Sequence, residues 1–177
     1  IGESGSRADL RVGIPTPALR ARLRTLLTTD HAAARALHEP RYSAVAYPFR
    51  TEYQNSNQWI LEVLAMAIAA ESGTEITDRT QAQAWLRDND YRPSVLHLGL
   101  GKRLGARLFV ANATTVDHPA SERISGNYSV VTVESVFDFL YARRQFEREM
   151  PIAHVPLPAP DAPDAPDAPA PARAPSP

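Results

Sequence analysis

The sequence contains no cysteine, and this single absence excludes several kinds of site. Disulfide bonds, cysteine-rich zinc sites and thiol nucleophiles all depend on that side chain. The cellular compartment stays open, because many periplasmic proteins also lack cysteine.

Long hydrophobic runs and an excess of charge of one sign are also missing. The longest apolar stretch, from Trp59 to Ala70, is interrupted by Glu62 and is shorter than the roughly 18 residues that indicate a membrane span. The 19 basic residues nearly balance the 20 acidic ones, so the overall charge favours neither nucleic acid nor an anionic membrane as a partner. A length of 177 residues corresponds to one domain.

Motifs that bind cofactors or metals are absent as well. The sequence has no glycine-rich dinucleotide loop, no phosphate-binding loop and no nucleophile elbow. The five histidines do not show the paired spacing of a zinc site. We therefore expect no cofactor and no metal.

Composition predicts one globular domain between two less structured ends. Residues 1–9 are polar and glycine-rich, which indicates a linker or the truncated end of something larger, since the chain begins with isoleucine. Residues 151–177 are mostly proline, alanine and aspartate, a composition that offers little to bury and predicts a disordered tail. The domain itself is predicted over residues 10–150, as the C-terminal two thirds of a larger domain.

Hydrophobic periodicity predicts a helix-rich α+β fold with a central apolar helix packed on a small sheet. Thr16 and Pro17 predict the start of a first helix, and Asp30 predicts the cap of a short second one. Three strands are predicted, over residues 42–49, 94–98 and 128–133. A further helix begins at Thr77 or Asp78, the segment over 100–109 is ambiguous with features of a short helix, and a polar loop covers 112–127. A last helix begins at Glu134 or Ser135 and is predicted to bury Val136, Phe137, Leu140 and Tyr141.

The most informative segment is Tyr-Gln-Asn-Ser-Asn-Gln-Trp, from Tyr53 to Trp59, which leads directly into the apolar helix. A helix that is apolar nearly all round belongs in a core, and its first turn still needs partners for free N–H groups. Asn55, Ser56 and Asn57 are all good capping residues. Capping alone is therefore a complete explanation of the segment.

The same segment also has a functional interpretation. A helix N-terminus stabilises developing negative charge, and Ser56 is the one side chain of nucleophile type in the segment. Asn55 and Gln58 are candidate donors to that charge. A serine would need a partner base. The remaining candidate binding residues here are Tyr53, Gln54, Asn57, Gln58 and Trp59.

Asp117 and His118 form the second concentration of ionisable groups, together with Glu122 and Arg123. A carboxylate beside a histidine orients the imidazole or stabilises its charge, which makes this pair a candidate binding site. The alternative is a turn that Asp117 caps and that His118 and Pro119 shape.

The segments RYSAVAYPFRTEYQNSNQWILEVLAMA, QAQAWL, VDHP and VVTVESVFDFL resemble a bacterial family catalogued as a domain of unknown function. The resemblance covers about Leu10 to Leu140. Members of that family tend to be longer at the N-terminus and to carry an export signal. The resemblance therefore implies a periplasmic or secreted protein and a missing first third.

A looser similarity concerns circularly permuted relatives of the NlpC and papain-like fold. In these proteins a histidine on a strand comes first, and an Asn-Cys or Asn-Ser-Asn run at the start of the central helix follows. The similarity implies that Ser56 occupies the nucleophile position and that the histidine-bearing strand precedes this chain. Neither His31 nor His38 lies on a predicted strand.

Three hypotheses follow for the function. The favoured one is a binding or structural domain of the bacterial envelope on a papain-like scaffold, with a small molecule or a peptide as ligand. The second is a hydrolase or acyltransferase acting on an amide or ester, with Ser56 as nucleophile and Asn55 as oxyanion donor. The third is an interaction module in which the proline-rich tail is a spacer.

Overall fold

The structure is a computed structural model that describes residues 7–98 and 112–156, with side chains over 12–98 and 112–148. It divides into two compact units. One unit is Gly13–Glu149, which contains all the helices described below. The other combines Ile1–Val12 with Met150–Pro177 and contains the outer parts of two paired strands.

Four consecutive helices follow the first strand, two short strands and two further helices come next, and the predicted helix-rich α+β fold is confirmed. The elements are β1 (Arg7–Pro15), α1 (Pro17–Thr28), α2 (His31–Ala36), α3 (Ser56–Ala69), α4 (Arg79–Asp88), β2 (Ser94–His97), α5 (Ala120–Ser125), β3 (Asn127–Val130), α6 (Val133–Ala142) and β4 (Phe146–Pro156). Strand β1 pairs with β4, and β2 pairs with β3 in an antiparallel register that sets Ser94 opposite Val130.

Helix α3 is the centre of the core, as its apolar sequence predicts. Every residue from 61 to 69 is buried, and α1, α4 and α6 pack around this helix. Removing so much apolar surface from water is the main stabilising contribution that this helix makes. One of these buried positions is Glu62, a carboxylate inside the core.

The predicted strand over 42–49 is wrong. The segment is irregular, and its one bridge joins Tyr42 to Gln54. Pro48 removes a backbone donor, and the main-chain groups of Tyr47 and Pro48 bond to side chains instead of to a neighbouring strand. Residues 41–54, called the 41–54 loop below, lead into α3.

The predicted polar loop over 112–127 contains a helix, α5, over residues 120–125. Pro119 precedes its first turn, and Gly126 ends it with a positive φ of 81°. Glycine reaches that left-handed conformation without the steric cost that a Cβ imposes. The short helix lacks an apolar stripe, and so periodicity did not indicate it.

The last helix, α6, buries Val136 and Leu140 as predicted, but Phe137 and Tyr141 are not buried. Thr132 caps it and forms a capping box with Ser135. Phe139 points into the core, whereas Phe137 and Tyr141 pack against another aromatic ring. That ring belongs to Phe146 of β4, an element that the sequence did not predict.

Strands β1 and β4 both extend past the predicted limits of the domain. The limits at residues 9 and 151 fall inside these strands, which begin at Arg7 and end at Pro156. Position 13 of β1 is a glycine, and any larger residue there would place its Cβ 2.3 Å from the Phe146 ring. The ambiguous segment over 100–109 and the predicted tail beyond residue 156 lie outside the described residues.

Candidate functional site

Asn55 is the N-cap of α3 and also ties two distant segments to the start of this helix. Its Oδ1 accepts a hydrogen bond from the Gln58 backbone N–H at 2.8 Å. Its Nδ2 donates to the Val131 carbonyl at 3.2 Å and to the Ala44 carbonyl at 3.3 Å. The side chain is buried, and these contacts use its acceptor and both amide hydrogens. Its predicted role as an oxyanion donor stays a prediction and would require exchanging these bonds.

Ser56 is the first residue of α3, and its side chain is exposed to solvent. No basic side chain within the described residues forms a hydrogen bond with its hydroxyl. Asn57, the next residue, donates from Nδ2 to the Val131 carbonyl at 3.5 Å. The structure therefore places the candidate nucleophile at an open helix start, with the amides of its two neighbours directed to one carbonyl.

Gln58 is fully buried and also bonds to the 41–54 loop. Its Nε2 donates to the carbonyls of Tyr47 and Pro48, at 3.3 and 3.2 Å. A buried carbonyl without a donor would destabilise the fold, and the loop has no sheet partner there. Gln58 supplies the bonds that a strand would otherwise provide.

Gln54 bonds at both ends of its side chain to the segment that follows α2. Its Oε1 accepts from the Glu39 backbone N–H at 3.0 Å, and its Nε2 donates to the Leu37 carbonyl at 2.8 Å. The same Nε2 donates to Glu62 Oε2 at 2.6 Å. Gln54 thus links the loop to the buried carboxylate of α3.

Glu62 is the centre of a buried polar cluster that sequence reasoning did not find. Arg79 of α4 pairs with it through Nε at 2.9 Å and Nη2 at 3.2 Å, and Gln83 donates to it at 2.8 Å. Arg79 also donates to the carbonyls of Thr51 and Tyr53, at 2.8 and 3.1 Å. The one available signal was an acidic residue inside an otherwise apolar run.

Burial dominates the electrostatics of this cluster. It raises the pKa of the Glu62 carboxyl above its ordinary value, against the opposing effects of Arg79, Gln83 and Gln54. Buried charges persist in proteins when they are paired and hydrogen-bonded, and Glu62 has four donors on its two oxygens. The cluster is a structural clamp on the 41–54 loop.

Tyr53 and Trp59, the two aromatic residues of the Tyr53–Trp59 segment, are partly exposed to solvent. Tyr53 is half-buried, and the Arg41 guanidinium lies 5.9 Å from the centre of its ring. Trp59 is also half-buried, and its indole N–H donates to the Ala34 carbonyl at 3.1 Å. These rings are fixed in place and partly accessible, as a binding surface requires.

Asp117 and His118 are both buried, and both bond to the 41–54 loop. Asp117 Oδ2 accepts from the Tyr47 backbone N–H at 2.8 Å. His118 Nε2 bonds to the Val45 carbonyl at 2.6 Å, and its Nδ1 bonds to Glu122 Oε2 at 2.8 Å. Both ring nitrogens thus lie within hydrogen-bond distance of an oxygen atom.

Glu122, on α5, completes this second cluster. Burial raises the pKa of its carboxyl, but hydrogen bonds from His118 and from the backbone and hydroxyl of Ser129 outweigh burial and lower the pKa below its ordinary value. The sequence already grouped Glu122 with His118, and the structure joins the two side chains across one helical turn.

The structure brings residues from both predicted groups to one loop. Asn55 and Gln58 hold residues 44–48 from α3, while Asp117 and His118 hold the same residues from the segment before α5. Side chains that sequence reasoning offered for chemistry make main-chain hydrogen bonds here. Their assignment as site residues stays a prediction.

Two further properties bear on the kind of protein. No group of three or more histidine or acidic side chains suited to a metal ion occurs among residues 12–98 and 112–148. None of the helices in the described part of the chain has the length and apolar character needed to cross a membrane.

Fold and site together define a helix-rich α+β domain in which a buried helix clamps an irregular loop through its own polar side chains. The chain belongs to the family described as "Uncharacterized protein conserved in bacteria (DUF2145)", which it matches over residues 1–140. This match confirms the predicted bacterial family of unknown function. Neither the curated proteins nor the solved structures contain a match to the chain.

Proposed function

We propose that this domain is a non-catalytic binding module of the bacterial envelope, in which the Tyr53–Trp59 segment forms a rigid surface. The observation that carries the proposal is the use of Gln54, Asn55 and Gln58. Each of these side chains is buried and bonds to main-chain atoms of another segment. These buried hydrogen bonds hold the surface in one geometry, and a surface that is ordered before binding loses less conformational entropy when it binds.

The envelope location and the papain-like scaffold belong to this proposal as well. The location rests on the export signals typical of the proteins that the chain resembles. The scaffold rests on the resemblance of Asn55, Ser56 and Asn57, followed by a core helix, to permuted papain-like proteins. An experimental structure of a longer family member, with the upstream region included, would test the scaffold directly.

The absence of catalysis is tested with a fluorophosphonate probe that labels activated serines. We expect no labelling of the full chain, because an unactivated serine hydroxyl is a weak nucleophile. Labelling that disappears in Ser56→Ala would overturn the proposal. A heat-denatured sample is the control for nonspecific reaction.

The second candidate is a hydrolase or acyltransferase on an amide or ester, with Ser56 as nucleophile. The observation that favours it is the exposed position of Ser56 at the first turn of α3, where backbone N–H groups and the helix dipole favour negative charge. The resemblance to permuted papain-like proteins implies a histidine base on a strand that precedes Ser56. Hydrolysis of a model ester by a longer family member, lost in the serine variant, would support this candidate.

The third hypothesis, an interaction module with a spacer tail, depends on the predicted tail over residues 151–177, of which residues 151–156 belong to β4. Residues 157–177 lie outside the described part of the chain. The hypothesis therefore keeps its sequence basis, the repeated Ala-Pro-Asp pattern. Rapid amide exchange throughout this segment is the expected result for a spacer.

A further inference from the structure

A small cleft lies between the end of α2 and the first turns of α3. Arg35, His38 and Trp59 line it, and its volume is about 380 Å³. Arg35 and His38 are exposed, and the Trp59 indole forms a half-buried wall. An arginine, a histidine and a tryptophan therefore line one concave site.

The most specific segment of the sequence holds this cleft in shape. The Trp59 indole N–H bonds to the carbonyl of Ala34, the neighbour of Arg35, at 3.1 Å. Gln54 bonds to the Leu37 carbonyl and to the Glu39 N–H, on either side of His38. The backbone beside Arg35 and on both sides of His38 is thus bonded to side chains from the Tyr53–Trp59 segment. Such support is typical of a preorganised binding site.

The positive charge at the cleft is not neutralised by its neighbours. Within the described residues, the side chains of Arg35 and His38 make no ion pair or hydrogen bond. Glu39, the nearest acidic residue in sequence, is held by Arg41 through bonds of 2.8 and 3.3 Å. Those bonds lower the pKa of Glu39 and keep its carboxylate paired with Arg41. Arg35 is left as a charged group available to an anion.

We propose that this cleft binds a carboxylate attached to an apolar or aromatic group, the chemistry of a free peptide C-terminus. The Arg35 guanidinium presents paired donors that match the two carboxylate oxygens, and His38 adds a further donor. The Trp59 ring packs against the apolar group. This inference rests on the proposed binding function and names the chemical class of its ligand.

The test uses the full chain and N-acetylphenylalanine as the probe. The chain has two tryptophans, so a two-dimensional NMR spectrum shows two indole N–H signals. Trp59 lines the cleft, and Trp85 packs against Phe139 and Arg143. We expect the probe to shift the Trp59 signal and to leave the Trp85 signal unchanged. N-acetylphenylalaninamide, which lacks the carboxylate, should bind about tenfold more weakly.

Matched variants identify the groups responsible. Arg35→Gln should weaken binding of the acid about tenfold and should not change binding of the amide. Arg24→Gln is the control, because it removes the same charge from an exposed position on α1 that does not line the cleft. The unchanged Trp85 signal verifies that each variant is folded.

Three results would overturn the inference. They are equal binding of acid and amide, shifts of both indole signals, and no shift at millimolar probe. Each of these leaves the non-catalytic proposal standing. Conversely, fluorophosphonate labelling of Ser56 would overturn that proposal without affecting the carboxylate titration, so the two failures are distinguishable.

Discussion

Arg79→Met should destabilise the protein strongly, because it removes the charged partner of a carboxylate at the centre of the core. Glu62 is fully buried, and Arg79 donates to both of its oxygens. Breaking a buried ion pair on one side costs about 3–5 kcal/mol. The variant also loses the bonds from Arg79 to the carbonyls of Thr51 and Tyr53, which adds to the loss.

The effect should depend on pH in a defined direction. The pKa of Glu62 is raised by burial in the native chain, and removing Arg79 takes away the main opposing influence. A folded-state pKa above the unfolded value means that stability is highest below the ordinary value of 4.5 and falls as pH rises through the folded-state pKa. The deficit of Arg79→Met should therefore be larger at neutral pH than in mild acid.

Urea denaturation followed by circular dichroism measures both effects. Arg87→Met is the matched control, since Arg87 is an exposed residue of the same helix, stacked 4.7 Å from the Phe49 ring. Arg87→Met should lower the free energy of unfolding by no more than about 1 kcal/mol. The double variant Glu62→Gln with Arg79→Met should recover part of the loss, because no unpaired charge is then buried. A pH-independent loss below about 1 kcal/mol for Arg79→Met would refute the reasoning.

Three further predictions concern the clusters around the 41–54 loop. Asn55→Ala should cost about 1–3 kcal/mol in urea denaturation, because it removes a cap and two buried bonds; a neutral result would contradict the clamp. Ser56→Ala should change stability by less than about 0.5 kcal/mol in the same assay, since the side chain is exposed. The lowered pKa of Glu122 means that its contribution is present above pH 4.5 and is lost as pH falls through the folded-state pKa. Glu122→Gln should therefore flatten the acid side of the melting temperature profile, and an unaltered profile would exclude that contribution.

Local sequence signals predicted most of the helices. Thr16 accepts from the Leu19 N–H and Asp78 from the Gln81 N–H, as capping residues at those positions should. The apolar run after Asn55 predicted a core helix, and that helix is buried throughout its middle. Each of these features depends on residues within about one helical turn, so one segment contains the whole signal.

The prediction of a strand over residues 42–49 was wrong because of residues that lie outside this segment. Its alternating pattern is compatible with a strand, but a strand needs a partner for its main-chain groups. Here Gln58 and Asp117, at positions distant in the sequence, bond to those groups. The irregular conformation is stable because side chains replace the missing neighbour.

The sequence by itself determined that a polar segment begins a buried helix, and it identified the residues of that segment. Only the tertiary structure decided what those residues bind. Asn55 and Gln58 are directed to carbonyls of the 41–54 loop, and Trp59 forms one wall of a cleft with Arg35 and His38. The physical reason is that capping ability is a property of one residue and its helix, whereas hydrogen bonds across the fold depend on which segments pack together.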